Sequence, residues 1–271
     1  FCRIALAVSF SLTSIGALAT KVTDAPTELP LLSPESQHAT ASKRITAQFT
    51  RSHYKTIKID DELSQEVFDR YIKQLDYSRN IFTADDINSF QKYREGFDSV
   101  IARGKLNAAY EIYNTNLQRR LERYEYAVSL LEKPFDFTKD EKYYFDREEA
   151  EWPKDIAELN DLWRLKVKYD ALNLELAGKK WEKTQEILTK RYKYAIKRLK
   201  QSESEDVFQI VMNSFARVVE PHTSYLSPRN AERFQMEMNL SLEGIGAVLR
   251  AQEDYTTIQS VVAGGPADKS K

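Results

Sequence analysis

Residues 106–131, LNAAYEIYNTNLQRRLERYEYAVSLL, decide the fold class of this chain. Their apolar and tyrosine positions recur in steps of three and four, as on one face of an α-helix. These positions are Leu106, Tyr110, Tyr113, Leu117, Leu121, Tyr124, Val128 and Leu131. Lys133 and Pro134 follow, and proline ends a helix because it lacks a backbone N–H. The stretch therefore predicts a long amphipathic helix whose stripe must be buried against other helices.

The helical period continues on both sides of this stretch, from about residue 36 to residue 236. Further stripes predict helices around residues 63–75, 87–101, 159–174, 187–199 and 207–218. Thr83 and Asp86 form a weak capping box before the second of these, and Gly104 is its predicted stop. No self-similarity recurs at about 34 or 40 residues, which argues against a helical repeat array. We therefore predict one multi-helix domain over residues 36–236.

The pattern changes near Met238. Ile245, Ala247 and Leu249 alternate with other residues, and residues 255–262 are rich in β-branched side chains, so two strands are predicted. The polar stretch 251–254 between them is a predicted turn. The second strand runs into Gly264-Gly265-Pro266, which interrupts pairing. The predicted fold class is mainly α, followed by the start of an α+β domain over residues 238–271 that we expect to be truncated.

The first 19 residues are typical of a cleavable secretory signal. Arg3 is a short positive region, residues 4–18 are apolar or small, and Ala17-Leu18-Ala19 is a small-x-small cleavage site. A buried N-terminal helix is the alternative interpretation. Residues 20–35 contain three prolines and no periodicity, so they predict an extended linker.

Composition excludes several classes of protein. The chain has 271 residues and a formal net charge of −1, so no overall basic field favours nucleic acid. Its single cysteine, Cys2, lies in the predicted signal, and a cysteine-free mature chain suits an oxidising compartment. The three histidines, at 38, 53 and 222, have no metal-ligand spacing. We expect no metal, no cofactor and no transmembrane segment in the mature chain.

Two polar segments suggest chemistry only weakly. The basic stretch 190–200 is flanked by glutamates, so it is interpreted as a solvated helix face, with an anionic partner as the alternative. His222 and Ser224 are two residues apart on a short loop. They lack an orienting third group and an oxyanion hole, so they are interpreted as loop-structuring residues.

The most informative short motif is Gly244-Ile245-Gly246, directly before a predicted strand. Glycines on both sides of an apolar residue allow several backbone N–H groups to converge, and such a nest binds a carboxylate. The following strand offers its edge to an extended peptide. We therefore predict substrate binding by Leu242, Gly244, Ile245 and Gly246, with Leu242 and Ile245 lining a pocket for an apolar final side chain. A simple tight turn is the alternative.

The sequence around this motif resembles that of a known protein family. Residues 220–228, EPHTSYLSP, resemble the Asp-Pro-His-Thr-x-Tyr-x-x-Pro signature of C-terminal processing peptidases, with Glu220 in place of the usual Asp. Residues 240–247, LSLEGIGA, and 262–267, VAGGPA, resemble two parts of that family's PDZ domain. Upstream, the segments FTRSHY (49–54), LDYS (75–78), WP (152–153) and LW (162–163) resemble the long tail-specific proteases of Gram-negative bacteria.

The resemblance implies a periplasmic serine endopeptidase with a Ser–Lys dyad that recognises apolar C-termini of proteins through its PDZ domain. In that family the dyad lies well downstream of the PDZ domain. We therefore expect this chain to be an N-terminal fragment that carries no catalytic residue and is inactive alone. The resemblance also admits a periplasmic adaptor as partner and a peripheral position at the inner membrane. The alternative is a non-enzymatic helical scaffold or chaperone with a PDZ-like tail.

Overall fold

The computed structural model describes residues 28–239, 244–252 and 255–270. The predicted signal, residues 1–19, and the start of the predicted linker lie outside them. Within the described residues the helices are α1 (Ser36–Ser52), α2 (Asp61–Leu75), α3 (Ala84–Phe90), α4 (Phe97–Ala102), α5 (Asn107–Leu130), α6 (Ile156–Leu176), α7 (Trp181–Leu199), α8 (Ser204–Val219), α9 (Pro228–Met238) and α10 (Pro266–Lys269). The strands are β1 (Ala247–Gln252) and β2 (Tyr255–Val261). The predicted fold class, mainly α with a small β-containing part at its C-terminal end, is confirmed.

Helix α5 connects two hydrophobic cores. Its first half buries Tyr110 and Leu117 in a cluster shared with α2, α4 and α8. Its last turns bury Ala127 in a second cluster with α6 and α7, and Leu131 joins that cluster just beyond the helix. The stripe predicted over residues 106–131 therefore packs along its whole length, and α5 is the central helix of the domain.

The stripe predicted as one helix over residues 87–101 is divided in two, so that prediction was wrong in its continuity. Helix α3 passes into a 3-10 turn at Gln91–Tyr93, and α4 begins only after Gly96. In the interruption, the carbonyl of Arg94 accepts a hydrogen bond from Ser64 Oγ at 2.7 Å. The guanidinium of Arg94 also contacts Asp69 at 2.7 Å. The Ser64 hydroxyl also accepts the N–H of Asp98 at 3.1 Å, so it takes the place of the Asp98–Arg94 hydrogen bond of a continuous helix. Phe90 and Phe97, on the two sides of the interruption, remain buried.

The ends of these two short helices agree with the prediction. Thr83 and Asp86 form the capping box of α3, with the Asp86 N–H donating to Thr83 Oγ1 at 3.2 Å and the Thr83 N–H to Asp86 Oδ2 at 3.0 Å. Gly104 follows α4 with φ of +65°. A Cβ there would lie 2.7 Å from the carbonyl oxygen of Ala39. Glycine is therefore required both by the backbone angle and by the close approach of α1.

Two of the upstream motifs meet in space. Asp76 ends α2 and is buried, with 3% of its surface exposed. Its carboxylate accepts three backbone N–H groups, from Asn80, Ile81 and Phe82, and the indole N–H of Trp152 at 3.1 Å. Burial raises the pKa of Asp76, against the lowering effect of these four donors. The LDYS and WP segments thus form one structural unit.

Strands β1 and β2 form an antiparallel hairpin. Ala247 pairs with Val261, and Val248 pairs with Ser260. The register then shifts, so that Leu249 pairs with Ile258. Strand β1 extends two residues into the predicted turn, to Gln252, whereas β2 begins at Tyr255 as predicted and ends one residue early, at Val261. Residues 253–254 lie outside the described residues. The predicted domain division at 236–238 falls in the last turn of α9.

Candidate substrate-binding loop

The predicted binding residues lie immediately before β1. Leu242 lies outside the described residues. Apart from its chain neighbours, no described residue has an atom within 4 Å of where a Cβ of Gly244 would stand. Ile245 is exposed over 60% of its surface. Gly246 has φ of +73°, the left-handed region that favours glycine.

The turn after β2 holds this loop in place. The carbonyl of Ile245 accepts the N–H of Ala267 at 2.9 Å, and the carbonyl of Gly246 accepts the N–H of Val262 at 2.8 Å. Gly246 also touches the turn directly. A Cβ on Gly246 would lie 2.9 Å from Pro266 Cδ and 3.2 Å from the Cα of Gly265. The two glycine-containing segments that resemble a PDZ domain therefore fit against each other.

The carbonyls of Ile245 and Gly246 both accept hydrogen bonds from the turn, whereas the N–H groups of the loop donate to no described residue. Among the described residues, no acceptor receives a hydrogen bond from the N–H of Gly244, Ile245 or Gly246. Neighbouring unpaired N–H groups favour an anion without a lysine or arginine beside it. The arrangement can therefore hold a carboxylate, and the assignment of these residues to substrate binding stays a prediction.

Strand β1 supplies the second element of the candidate site. One edge pairs with β2, and its other edge has no partner strand within the described parts of the chain. An extended peptide can add to such an edge through main-chain hydrogen bonds. Val248 and Leu249 of β1 are about half exposed, and Ile258 of β2 is about two-thirds exposed. The hairpin thus offers both backbone groups and apolar surface.

The signature segment 220–228 is fastened to α8 by a row of polar side chains. Glu205, Gln209, Asn213 and Arg217 follow each other at four-residue steps and therefore share one face of the helix. Asn213 holds both backbone groups of Tyr225, accepting its N–H at 2.7 Å and donating to its carbonyl at 3.2 Å.

The other members of the row bind the same segment. Gln209 accepts the N–H of Ser227 at 3.3 Å, and Arg217 donates to Ser224 Oγ at 3.2 Å. Ser227 precedes α9, which begins with Pro228. The row on α8 therefore sets where α9 starts.

A buried histidine contacts Glu205, the first residue of this row. Tyr225 Oη donates to Glu205 at 2.9 Å, and His38 Nε2 lies 3.0 Å from the same carboxylate. His38 is 1% exposed and stacks on Phe208. Its Nδ1 lies 3.2 Å from the backbone N of Glu35 and 2.9 Å from Tyr110 Oη, so both ring nitrogens have polar partners. The sequence analysis missed this contact because an isolated histidine forms no pattern.

The remaining signature residues have structural contacts. Glu220 ends α8, and its carboxylate accepts the N–H of His222 at 3.3 Å. Tyr54 of the FTRSHY segment lies 3.5 Å from the same side chain. No hydrogen bond joins His222 to Ser224 in the described part of the chain. The segment thus has the geometry of a braced loop, with no nucleophile–base pair.

The described residues contain neither a cluster of metal-ligating side chains nor a helix that could span a membrane. No group of three or more His, Cys, Asp or Glu side chains in residues 28–239, 244–252 and 255–270 could hold a metal ion. Over the same residues, every helix is too short or too polar to span a bilayer.

Comparison with known proteins identifies the helical part. Residues 45–229 match the family model described as tail specific protease N-terminal domain. The curated tail-specific protease of Haemophilus influenzae (strain ATCC 51907 / DSM 11121 / KW20 / Rd) is 47% identical over 261 residues. That similarity covers 95% of this chain and 37% of the relative, so the chain spans little more than a third of the relative's length. The family-model match covers the α8 row and the whole signature segment, and the chain belongs to the tail-specific protease N-terminal domain family.

Proposed function

We propose that the full-length protein is a periplasmic serine-type endopeptidase that recognises apolar C-termini through a PDZ domain and degrades or processes the proteins that carry them. The observation that carries this proposal is the 47% identity to a tail-specific protease over 95% of the chain. In this proposal the Ser–Lys dyad lies outside the 271 residues, which supply a helical scaffold and part of the recognition site.

The proposed recognition step begins at the loop before β1. The N–H groups of Gly244, Ile245 and Gly246 receive the substrate's terminal carboxylate, because no described residue occupies them. The backbone of the substrate then pairs with the free edge of β1. The exposed Ile245 side chain, together with Leu242, contacts the final apolar residue. Carboxylate capture gives specificity for chain ends, and strand pairing is independent of sequence.

The helical domain has a positioning role in this proposal. The row on α8 fixes Tyr225 and Ser227, and α9 then leads toward the loop before β1. Export by the signal at residues 1–19 places the protein in the periplasm, where it is peripheral to the inner membrane. A periplasmic adaptor protein is a further partner in this proposal.

The experiment uses two substitutions of Gly244 in the full-length protein. Gly244→Pro removes one N–H of the predicted nest. Gly244→Ala keeps that N–H and places its methyl group in open space, so it is the matched control. Gly246 is unsuitable, because any side chain there collides with Pro266 and distorts the loop itself.

The assay measures cleavage of a fluorogenic peptide that ends in apolar residues, with a free or an amidated C-terminus. We expect Gly244→Pro to raise the apparent KM roughly tenfold for the free carboxylate. The amidated peptide should respond little, and Gly244→Ala should resemble the parent protein. Equal losses with both peptides would contradict the role of the loop.

A non-enzymatic scaffold or chaperone with a PDZ-like tail is the second candidate, favoured by the large share of helical structure among the described residues. It predicts binding of an unfolded protein with an apolar C-terminus and no cleavage after prolonged incubation. The peptidase is supported if new substrate fragments appear on a denaturing gel and if this cleavage persists after the full-length protein has been purified again.

A further inference from the structure

The helical domain contains a polar cavity of about 650 Å³ that none of the predicted functions uses. It lies where the C-terminal end of α7 meets the N-terminal ends of α8 and α9, against α5. Its lining residues are Tyr113, Arg120, Arg198, Leu199, Gln201, Ser202, Glu203, Asp206 and Arg229. Three arginines from three different helices therefore face one cavity.

These arginines have no acidic partner in the described part of the chain. No carboxylate oxygen of residues 28–239, 244–252 and 255–270 lies within 4.0 Å of the guanidinium of Arg120, Arg198 or Arg229. Arg120 donates a long hydrogen bond of 3.3 Å to Tyr124 Oη. Elsewhere in the same domain, Arg94, Arg119 and Arg164 each contact a carboxylate at 2.9 Å or less.

The two acids in the cavity wall already have another role. Glu203 and Asp206 form the capping box of α8, in which each carboxylate accepts the backbone N–H of the other residue. The backbone N–H of Glu203 donates to Asp206 Oδ2 at 2.9 Å. These carboxylates therefore satisfy the helix end. Apart from the Arg120–Tyr124 contact, no hydrogen bond joins the three guanidinium groups to another residue in the described part of the chain. Formal charges of three positive and two negative leave one positive charge in the wall.

We propose that this cavity binds an oxyanion, either a carboxylate or a phosphate group, in addition to the proposed function of the loop before β1. A guanidinium presents paired donors that match two oxygens of such a group, and this favours arginine at oxyanion sites. The N-terminal end of α8 adds a favourable dipole. An excess of one positive charge suits a single group and disfavours a long polyanion.

The experiment measures binding to the full chain by isothermal titration calorimetry at low ionic strength. The probes are inorganic phosphate and a tetraglutamate peptide, with tetraglutamine as the neutral control. The variants Arg198→Gln and Arg229→Gln each remove one exposed guanidinium from the cavity. Arg191→Gln removes the same charge from α7 outside the cavity, where Arg191 lies 3.8 Å from Asp170. Circular dichroism confirms that all variants fold.

We expect saturable binding at millimolar anion or tighter, weakened roughly tenfold by each cavity substitution and unchanged by Arg191→Gln. Binding of phosphate alone identifies a free small anion as the ligand, whereas binding of tetraglutamate identifies an acidic peptide segment. Both results support the site. Absence of saturable binding to either probe, or equal weakening by Arg191→Gln, would overturn it.

Discussion

The buried carboxylate of Asp76 allows the most exact test of how the helical domain is held together. Asp76→Ala removes the acceptor for three backbone N–H groups and for the indole N–H of Trp152. A buried donor left without a partner costs about 1 kcal/mol or more. The hydrogen bonds from Ile81 and Phe82 are buried, and those from Asn80 and Trp152 are partly buried. The four donors therefore give a gross cost of at most about 4 kcal/mol, and relief from burying the carboxylate offsets part of it. We expect a net loss of about 3 kcal/mol in the free energy of unfolding.

The assay is urea denaturation followed by circular dichroism, and Asp60→Ala is the matched control. Asp60 caps the other end of the same helix, where its exposed side chain accepts one N–H, from Leu63 at 3.1 Å. Its loss should cost about 1 kcal/mol. Trp152→Phe, which removes only one of the four donors at Asp76, should also cost about 1 kcal/mol. If Asp76→Ala costs no more than Asp60→Ala, the four-donor argument is refuted.

Three other predictions concern single contacts. In urea denaturation, Gly104→Ala should lower the free energy of unfolding by about 2 kcal/mol more than Gly178→Ala does. Both glycines have positive φ, but only Gly104 lies against a backbone carbonyl. Equal losses would exclude that clash. Arg164 and Lys168 lower the pKa of Glu141 to about 2, so its contribution to stability should be present above pH 4.5 and lost as the pH falls toward 2. Thermal melts of Glu141→Gln should lack that part of the pH dependence. Asn213→Ala should speed hydrogen exchange at the Tyr225 amide roughly tenfold, and unchanged exchange would deny the clamp.

Periodicity could predict the helices because burial of a stripe is a local property of the sequence. The eight positions of the 106–131 stripe gave the correct central helix, and the capping box at Thr83 gave the correct start of α3. The break before α4 could not be predicted in the same way. It depends on Arg94 and Ser64, residues on different elements whose contact exists only after α2 has packed.

Most of the features that periodicity cannot predict are contacts between segments that are distant in the sequence. Asp76 and Trp152 are read as two separate motifs in the sequence, and only the fold joins them. The four-residue spacing from Glu205 to Arg217 was visible, but a polar row on a helix normally faces solvent. For the candidate site, the glycines before β1 could be selected from the sequence. Their dependence on Pro266 could not, because it requires knowing how the hairpin returns.

The contact between Gly246 and Pro266 has a consequence for how the protein is made. Pro266 follows Gly246 by 20 residues in the sequence. At about 5–20 residues per second, a ribosome needs roughly one to four seconds to add them. During that interval the loop before β1 lacks the turn that shapes it. The loop before β1 therefore takes its shape late, only when residues 262–267 have been synthesised and the hairpin can return to it.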